Sequence, residues 1–423
     1  MKTNRSPHSS IKIGILGLGT VGSAVAKVIT KRPELGIKVK MGCDLRRVNV
    51  PCPLTHDPWR LINDPEIQII VETMGGVNPA KQYVLAALKA GKHVVTSNKE
   101  LIARHMAELM AAAKRHGVFV LFEGAVGGGI PILNTLRDNL FVNRIDEVYG
   151  IVNGTTNYIL SKMTAEGKEF DAVLKEAQKL GYAEANPKAD IEGYDASYKA
   201  AILASVAFGA NVKWADVYRE GIEKIVAEDI AYASEIGYVI KLLAIVKRGN
   251  GKIDVRVHPA LVSKSHPLAN VTANFNAIYV KGSPVGELMF YGQGAGGGPT
   301  SSAVVSDVAS IAGLISCCEE TCQCSGNVRS LPSVKVSPIT EIENRYYIRM
   351  EAADRHGVLA GIAKAFADKK VSNAAVNQKE TRGSTATIVI LVHKVAEKNL
   401  VAALRAVKRL SVVRKISNVL RIL

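Results

Sequence analysis

Apolar and polar positions follow two rhythms along the first 150 residues. Strand-like segments occur in IKIGILGLGTVG at 11–22, which runs into glycines, in IKVKMGCDL, where the strand ends at Asp44, and in IQIIVETMGG at 67–76. The stretches between them, such as SAVAKVITKR at 23–32, have apolar residues at helical spacing. Because strands that alternate with helices are typical of a doubly wound parallel sheet, the pattern predicts an α/β domain over residues 11–149.

From about residue 150 the pattern becomes mixed. The stretch 194–246 is rich in alanine and predicts a long helical region. Alternating segments such as KIDVRVHPALV and ANFNAIYVKG predict strands, so we expect an α+β domain with a mixed sheet at 150–297. A glycine-rich turn with Pro299 introduces a helix at 298–316, which we expect to pack back on the first domain.

The C-terminal part of the chain predicts a third domain. Residues 317–343 contain four cysteines, serine, glycine and two prolines, which is the composition of a linker. From Tyr346 onward the pattern is strand, helix, strand, strand, helix, strand. This βαββαβ order predicts a ferredoxin-like domain at 344–423. At the other end, the polar residues 1–10 predict a disordered tail, with a short organellar transit sequence as the alternative.

Composition and charge exclude several classes of protein. Hydrophobic residues make up 48% of the 423 residues, which is enough for two or three cores. The formal net charge is +16, but the basic residues are spread along the chain and aromatic residues are only 5%, so we expect no nucleic-acid partner. No apolar run is long enough to cross a bilayer, and no secretory signal opens the chain, which favours the cytoplasm and no membrane partner.

The six cysteines do not form the pattern of a secreted disulfide framework. Four of them follow a CC-x3-C-x-C spacing that differs from the usual zinc motifs: Cys317, Cys318, Cys322 and Cys324. Unrelated thiols in a linker are one interpretation. A metal site or a redox-sensitive disulfide, including one between subunits, is the other.

A glycine-rich turn follows the first apolar run. Gly17, Gly19 and Gly22 form a GxGxxG between a predicted strand and a predicted helix, which is the setting of a dinucleotide-binding site. Asp44 ends the second predicted strand, where an acid would bind a ribose hydroxyl. Arg46, followed by Arg47, could instead pair with a 2′-phosphate. The choice between NAD and NADP therefore stays open.

Charged residues concentrate in GYAEANPKADIEGYDASYKAAILA at 181–204. Asp195 and Lys199 are four residues apart, so they share one face of a helix, and Lys199 precedes a small, apolar stretch. A surface salt bridge is the alternative to a catalytic lysine with a lowered pKa. Lys99 stands at the predicted start of another helix, where the helix dipole disfavours a cation unless a ligand is near.

The segment VFVLFEGAVGGGIPI at 118–132 predicts a buried strand that ends in glycines. A tight turn with close backbone approach explains the glycines. Alternatively, Glu123 and the neighbouring carbonyl groups could bind a hard cation through oxygen ligands.

Taken together, seven motifs in one order resemble those of the homoserine dehydrogenase family: GILGLGTVG, VETMGG, AGKHVVTSNKELIA, FEGAVGGGIPI, NGTTNYIL, GYAEANPKADIEGYDASYKAAILA and GQGAGGGPTSSAV. The resemblance covers residues 11–423. It implies a Rossmann domain, a substrate-binding and dimerisation domain and a C-terminal ACT domain. No kinase-like segment precedes residue 11, so we expect the monofunctional form.

The resemblance implies reversible reduction of L-aspartate 4-semialdehyde to L-homoserine, on the branch toward threonine and methionine, with Lys199 as proton donor, Asp195 as its partner and Lys99 near the nicotinamide. It implies further roles for several sets of residues. The substrate would contact Glu184, Asp190, Tyr182, Gly154 and Thr155. The dinucleotide would contact Gly17, Gly19, Thr20, Val21, Gly22, Asp44, Arg46, Thr73, Gly75, Lys99 and Gly296. A monovalent cation, usually sodium, would bind Glu123 and the carbonyls of Val126, Gly128 and Ile130.

The resemblance also implies regulation and assembly. DRHGVLAGIA at 354–363 matches the ACT turn that receives an amino-acid effector, and threonine is the implied effector. The implied effector residues are Asp354, Gly357, Val358 and Asn373. A homodimer or tetramer is implied as well. Two rival interpretations remain, namely a Rossmann reductase of another small carbonyl compound and a non-catalytic amino-acid sensor.

Overall fold

The computed structural model describes residues 10–249, 251–318, 331–382 and 384–423. Of the predicted tail, residues 1–9 lie outside this part of the chain, as do Cys322 and Cys324, and the side chains of Cys317 and Cys318 are not described. The described residues divide into two compact units. The first takes them from Met1–Val148, Tyr198–Ala215 and Asn276–Val334, and the second from Tyr149–Ser197, Asp216–Phe275 and Lys335–Leu423.

The described part of the chain contains sixteen strands and twelve α-helices. The strands are β1 (Ile11–Leu16), β2 (Ile37–Cys43), β3 (Leu54–Thr55), β4 (Ile69–Glu72), β5 (His93–Thr96), β6 (Val120–Leu121), β7 (Arg144–Ile151), β8 (Tyr218–Arg219), β9 (Tyr238–Arg248), β10 (Ile253–Ser263), β11 (Phe275–Ser283), β12 (Gly286–Gln293), β13 (Glu343–Ala353), β14 (Asn373–Arg382), β15 (Thr385–Ala396) and β16 (Val413–Ile422). The helices are α1 (Thr20–Lys31), α2 (Trp59–Ile62), α3 (Ala80–Lys89), α4 (Lys99–His116), α5 (Gly154–Glu166), α6 (Phe170–Lys179), α7 (Lys188–Ile191), α8 (Tyr194–Phe208), α9 (Ala227–Glu235), α10 (Gly297–Cys318), α11 (Val358–Ala367) and α12 (Glu397–Lys408).

The first unit is built on a parallel sheet with the strand order β3-β2-β1-β4-β5-β6. The predicted doubly wound architecture is thereby confirmed. The strand order reverses between β1 and β4, and ligands of such sheets bind outside the carboxyl ends of the strands at this point. Both strands are almost entirely buried, which is typical of a parallel sheet with helices on both faces.

Helix α10 packs in the same core as α1. Val304, Val308 and Ile311 of α10 are buried in one cluster with Ile13 of β1 and Ile29 of α1. No helix among the described residues is long and apolar enough to cross a membrane. Two of the helices contain predicted site residues. Helix α1 begins at the glycine-rich turn, and α8 contains Asp195 and Lys199.

Two predicted elements are wrong in extent. The predicted strand at 118–132 is reduced to β6, because Gly127 and Gly128 adopt positive φ angles that a strand excludes. The predicted helical region 194–246 ends with α8 at Phe208, where Gly209 has a φ of 61°. The remainder contains β8, α9 and β9. The strand β9 is buried over most of its length, so its apolar run lacks the alternation that separates a strand from a helix.

The second unit contains the predicted ferredoxin-like fold. Its strands follow one another in the order β16-β13-β15-β14 and are antiparallel, and α11 and α12 cover one face through a core that includes Phe366 and Tyr346. β16 also pairs in parallel with β10, which is antiparallel to β9. The sheet is therefore mixed, as predicted. The backbone N–H of Leu423 donates to the carbonyl of Leu261 at 2.9 Å, which extends this pairing.

Candidate active site

The glycine-rich turn of the first unit has the geometry of an anion-binding turn. Gly17 has a φ of 88°, and a Cβ on Gly22 would lie 2.0 Å from the carbonyl oxygen of Gly17. Gly19 is the N-cap of α1 and no side chain caps the first-turn N–H groups. Thr20 and Val21 begin α1. Backbone donors at a helix start favour phosphate, so this turn fits the pyrophosphate of a dinucleotide.

Two further segments border the turn. The hydroxyl of Thr73 donates to the carbonyl of Gly17 at 2.6 Å, and Gly75, two residues later, has a φ of 82°. On another side, a Cβ on Gly297 would lie 3.1 Å from the carbonyl oxygen of Thr20, so Gly296 and the start of α10 lie beside the start of α1. The structure therefore brings these predicted cofactor positions together.

Asp44 and Arg46 form a pair at the end of β2. The Oδ2 atom of Asp44 accepts the backbone N–H of Leu18 at 2.8 Å, and Oδ1 accepts the backbone N–H of Arg46 at 2.9 Å. The guanidinium of Arg46 donates to both oxygens at 3.1 and 3.3 Å. This hydrogen bonding lowers the pKa of Asp44 to about 2. An ionised carboxylate and its arginine thus stand side by side at the turn.

Glu72 is a buried carboxylate that sequence analysis missed. It is the last residue of β4 and has no exposed surface. Its carboxylate accepts hydrogen bonds from the hydroxyl of Thr96 at 2.5 Å and from the backbone N–H of Met74 at 2.8 Å. Burial raises its pKa. It fixes the turn after β4 to the end of β5. The signal available in the sequence was the position of Glu72, an acid directly after an apolar run in VETMGG.

Lys99 is the first residue of α4, as expected for its segment. Asn98 caps this helix, since its Oδ1 atom accepts the backbone N–H of Leu101 at 3.1 Å. The Nδ2 atom of Asn98 donates to the carbonyl of Gly76 at 2.6 Å. The half-buried Lys99 is thereby held at the carboxyl end of β5, next to the turn after β4.

Glu123 is buried, and its carboxylate accepts hydrogen bonds from backbone N–H groups. Its two carboxylate oxygens accept the N–H groups of Leu133 at 2.9 Å and Asn134 at 2.6 Å. Its own N–H donates to Asp307 at 2.8 Å, and the Nδ2 atom of Asn134 donates to the other oxygen of Asp307 at 2.9 Å. Burial raises the pKa of Glu123 to about 7 and that of Asp307 to about 6. Two acids therefore share one buried region of the first unit.

The loop after Glu123 packs closely against residues 294–295. Gly127 and Gly128 have φ angles of 75° and 59°, and a Cβ on Gly128 would lie 2.5 Å from the carbonyl carbon of Gly294. This loop contributes the carbonyl groups of Val126, Gly128 and Ile130. One carboxylate and several carbonyl oxygens are ligands that suit a hard cation, so the residues fit the implied cation.

In the second unit, Asn153 joins two of the predicted acids. Its Nδ2 atom donates to Asp190 at 2.7 Å and to Asp195 at 2.9 Å, while its Oδ1 atom accepts the N–H of Thr156 at 2.9 Å and caps α5. Sequence analysis did not identify Asn153. The signal was present in NGTTNYIL, where an asparagine precedes the helix start at Gly154.

The other predicted substrate residues lie around the same helix start. The hydroxyl of Thr155 donates to the carbonyl of Tyr182 at 2.7 Å, and the rings of Tyr182 and Tyr158 are 4.8 Å apart. Gly154 approaches the 271–275 loop so closely that a Cβ would lie 2.7 Å from the carbonyl oxygen of Asn274. Glu184 is exposed.

Asp195 and Lys199 are both buried on α8, with 5% and 7% of their surfaces exposed. They stand one helical turn apart, Asp195 in the second unit and Lys199 in the first. Small buried residues follow from Ala200 onward. This burial excludes the exposed surface salt bridge that was the alternative, because buried charged groups are costly unless they have a specific role or partner.

The predicted effector residues lie at the start of α11 and on β14. Gly357, with a φ of 85°, is the N-cap of α11, and Val358 begins the helix. Asp354 accepts the side-chain amide of Gln378 on β14 at 3.0 Å. The Oδ1 atom of Asn373 is buried and has no hydrogen-bond partner among the residues that the structure describes.

Comparison with known families divides the chain in three. The description "Homoserine dehydrogenase, NAD binding domain" matches residues 17–123, "Homoserine dehydrogenase" matches 131–309, and "ACT domain" matches 346–412. A homoserine dehydrogenase from Synechocystis is 45% identical over 98% of this chain and 100% of its own length.

Solved structures agree with these matches. The crystal structure of a homoserine dehydrogenase from Thiobacillus denitrificans is 41% identical, covers 98% of both chains and superposes with a TM-score of 0.92. A hyperthermophilic archaeal homoserine dehydrogenase in complex with NADPH is 30% identical, with a TM-score of 0.62, over 72% of this chain and 98% of its own.

Proposed function

Because the chain belongs to the homoserine dehydrogenase family, and is thus an NAD(P)-dependent oxidoreductase, we propose that it interconverts L-aspartate 4-semialdehyde and L-homoserine. The observation that carries this proposal is the burial of Asp195 and Lys199 on one helix, together with the hydrogen bonds by which Asn153 joins Asp195 to Asp190. A surface role explains none of these groups.

The residues have distinct roles in the proposed reaction. During reduction, a nicotinamide cofactor held at the glycine-rich turn would supply a hydride to the aldehyde carbon, and the electron pair of the C=O bond would move to the oxygen. Lys199 donates a proton to that oxygen, so the product is the alcohol, and in oxidation the same lysine accepts the proton. Lys99 stabilises the developing negative charge, and Asp195 orients Lys199 or the hydroxyl.

We assign recognition of the amino acid to the segment before α8 and to the start of α5. Glu184 would bind the substrate ammonium, and Asp190 would line the pocket with Tyr182, Gly154 and Thr155. The hydrogen bonds from Asn153 to Asp190 and Asp195 support this assignment, because they hold two acids at one place. Acids that converge on one amide are arranged for a cationic or hydroxyl-bearing ligand rather than for an anion.

The experiment compares homoserine oxidation by the wild type and by Lys199→Ala, followed at the absorbance of reduced nicotinamide with NAD and NADP separately. We expect kcat to fall by about 10²- to 10⁴-fold in the variant. Lys213→Ala, at an exposed lysine of the same unit, is the control and keeps wild-type activity. A folded wild type that oxidises no homoserine with either cofactor would refute the proposed substrate.

We also propose that sodium binds to Glu123 and to the carbonyls of Val126, Gly128 and Ile130. The close packing of this loop and its oxygen donors support the site. The ion would keep the loop in place and takes no part in hydride transfer. Sodium chloride should raise the melting temperature more than choline chloride at equal ionic strength, and an identical melting temperature in both salts would contradict this.

Regulation by threonine is the third part of the proposal. The start of α11 presents uncapped backbone donors after Gly357, and the buried Oδ1 atom of Asn373 can accept from an ammonium group. Threonine should therefore inhibit homoserine oxidation by the wild type, and Asn373→Ala should need at least about tenfold more threonine for the same inhibition. An unchanged rate at saturating threonine would contradict threonine as the effector.

For assembly and location, we propose a homodimer or tetramer in the cytoplasm, as the family resemblance implies. Light scattering on the purified protein tests the first point. Fractionation of cells that express the chain tests the second, and a protein recovered only in the membrane or external fraction would contradict it.

A further inference from the structure

Residues 218–222 contact the connection at 191–194, which lies between the two substrate acids Asp190 and Asp195. Asp190 lies in the short helix α7 and Asp195 is the second residue of α8, and residues 191–194 lie between them. The Nη1 atom of Arg219 donates to the carbonyl of Glu192 at 2.6 Å. Its guanidinium carbon also lies 3.3 Å from the centre of the Tyr194 ring. One side chain thus holds this connection at two points.

The backbones of the two segments also interlock. The N–H of Ile222 donates to the carbonyl of Ile191 at 2.8 Å. A Cβ on Gly221 would lie 2.3 Å from the same carbonyl oxygen, so a larger residue would force the segments apart. Gly193 has a φ of 79°, and a Cβ there would lie 3.4 Å from the Cγ atom of Arg219. The fit between residues 218–222 and 191–194 therefore depends on Arg219 and on two glycines.

Residues 218–222 are themselves anchored to the sheet. β8 pairs with β10, and the N–H of Glu220 donates to the carbonyl of Val257 at 2.8 Å. The carboxylate of Glu220 accepts a hydrogen bond from the Nη1 atom of Arg421 on β16 at 2.9 Å. Arg421 is buried and also donates to both oxygens of Glu397. Arg219 therefore lies on a strand that hydrogen bonds connect to β10 and β16.

We propose that Arg219 is a positioning residue for the substrate site, and that its anchor through Glu220 and Arg421 makes the C-terminal strand β16 part of the support of that site. By fixing the 191–194 connection, Arg219 sets the relative positions of Asp190 and Asp195, which Asn153 then joins. This inference rests on the proposed function. Small displacements of groups that orient a substrate are enough to cause large losses of rate or affinity.

Arginine is suited to this role in a way that lysine is not. Its planar guanidinium stacks on the Tyr194 ring while an N–H in the plane reaches the Glu192 carbonyl. A lysine can make the hydrogen bond but cannot make the stacking contact at the same time. The conservative variant should therefore restore part of the function that an apolar variant loses.

The test measures kcat, the KM values for homoserine and for NAD(P), and the melting temperature of Arg219→Met, Arg219→Lys and the wild type. We expect Arg219→Met to raise the homoserine KM or to lower kcat so that kcat/KM falls by about ten- to a hundredfold. The NAD(P) KM should stay within about twofold, since Arg219 belongs to the second unit and the glycine-rich turn belongs to the first. Arg219→Lys should recover part of kcat/KM.

Controls separate this role from folding and from the proposed function. Arg345→Lys, at an exposed arginine of the same unit, should match the wild type. Glu220→Gln should change kcat/KM in the same direction as Arg219→Met but less. Unchanged constants in a folded Arg219→Met enzyme, or equal losses for homoserine and NAD(P), would overturn the inference alone. A wild type inactive on homoserine would overturn the proposed function and the inference with it.

Discussion

At the scale of single residues, the candidate site depends on side chains that hold other side chains. Asn153 joins Asp190 and Asp195, and Asn98 caps the helix that begins with Lys99. Such hydrogen bonds preorganise charged groups before the substrate arrives, so little reorganisation is left for the reaction itself. The same logic applies to Asp44 and Arg46, where one charged residue fixes the other beside the cofactor turn.

The pairing of Asp44 with Arg46 leads to a prediction about cofactor choice. An ionised Asp44 favours the hydroxyls of an unphosphorylated ribose and repels a 2′-phosphate. Asp44→Asn keeps an acceptor for the N–H of Leu18, removes the negative charge and releases Arg46. We expect the kcat/KM ratio of NADP to NAD to rise by about tenfold or more.

The measurement is steady-state kinetics with both cofactors in parallel. Arg46→Ala is the matched variant and should lower the NADP to NAD ratio, because it removes the positive charge and leaves the acid. If the ratio were the same in the wild type and in Asp44→Asn, this pair would have no part in cofactor choice.

Residue types with a fixed local motif could be predicted from the sequence, and residues defined by distant partners could not. Gly17, Asp44 and Lys199 belong to motifs whose spacing indicates their setting. Arg219 has no such motif, because its role arises only when residues 191–194 fold against it. Glu72 has a local signal, as an acid at the end of an apolar strand, but its role depends on distant partners, namely Thr96 at the end of β5 and Asn98 after it.

At the scale of elements, the strands and helices of the first unit follow from their apolar patterns, and the exceptions have physical causes. Glycines with positive φ shorten the strand predicted at 118–132. The apolar run of β9 was assigned to a helix because a buried strand has no polar face to reveal its period. The core contacts of α10 with β1 and α1 could not be predicted in detail, because these elements are far apart in the sequence.

The start of β5 supports a prediction about stability and pH. The Nδ1 atom of His93 accepts the N–H of Phe119 at 3.1 Å, and the two rings stack 5.4 Å apart. Burial lowers the pKa of His93 to about 4, from 6.5 for an ordinary histidine. As the pH falls from 6.5 toward 4, the unfolded chain binds a proton before the folded chain does, so the folded state loses stability in this window.

Replacement of the titrating group should remove this loss. His93→Gln is expected to be less stable than the wild type at pH 7.5, but its free energy of unfolding should fall less between pH 6.5 and 4, by about 2 kcal/mol. Urea unfolding at several pH values measures the difference. His116→Gln, at the exposed end of α4, is the control and should keep the wild-type pH dependence. Parallel curves for wild type and His93→Gln would contradict the prediction.

At the scale of the whole molecule, the C-terminal fold of the second unit is joined to the rest of that unit by buried charges. Arg349 of β13 donates to Asp229 of α9 at 2.7 Å and also pairs with Glu228. Asn418 of β16 donates to Asp229 at 2.6 Å. The sequence predicted a ferredoxin-like domain but not these contacts, because charges in a domain of that kind are usually solvated.

Removal of one partner from this buried pair should be costly. Arg349→Leu leaves the carboxylate of Asp229, which has no exposed surface, without its ionic partner, and we expect a loss of about 3–5 kcal/mol in the stability of the second unit. Asp229→Asn combined with Arg349→Leu should cost less than the sum of the two single changes.

Denaturant unfolding of the four proteins of this double-mutant cycle provides the measurement, with Arg345→Leu as the exposed control. Additive effects would mean that the pair makes no specific contribution. A normal stability of Arg349→Leu would show that Asp229 is satisfied without it.

The pairing of β10 with β16 has a consequence for biosynthesis. About 150 residues separate the end of β10 at Ser263 from the start of β16 at Val413. At typical translation rates the ribosome needs roughly 8 to 30 s to cover that distance. For that time the nascent chain exposes the backbone of Ala260 and Leu261 at an open sheet edge, which can pair with other chains. Protection of this edge by a chaperone during translation would therefore reduce the mispairing of unfinished chains.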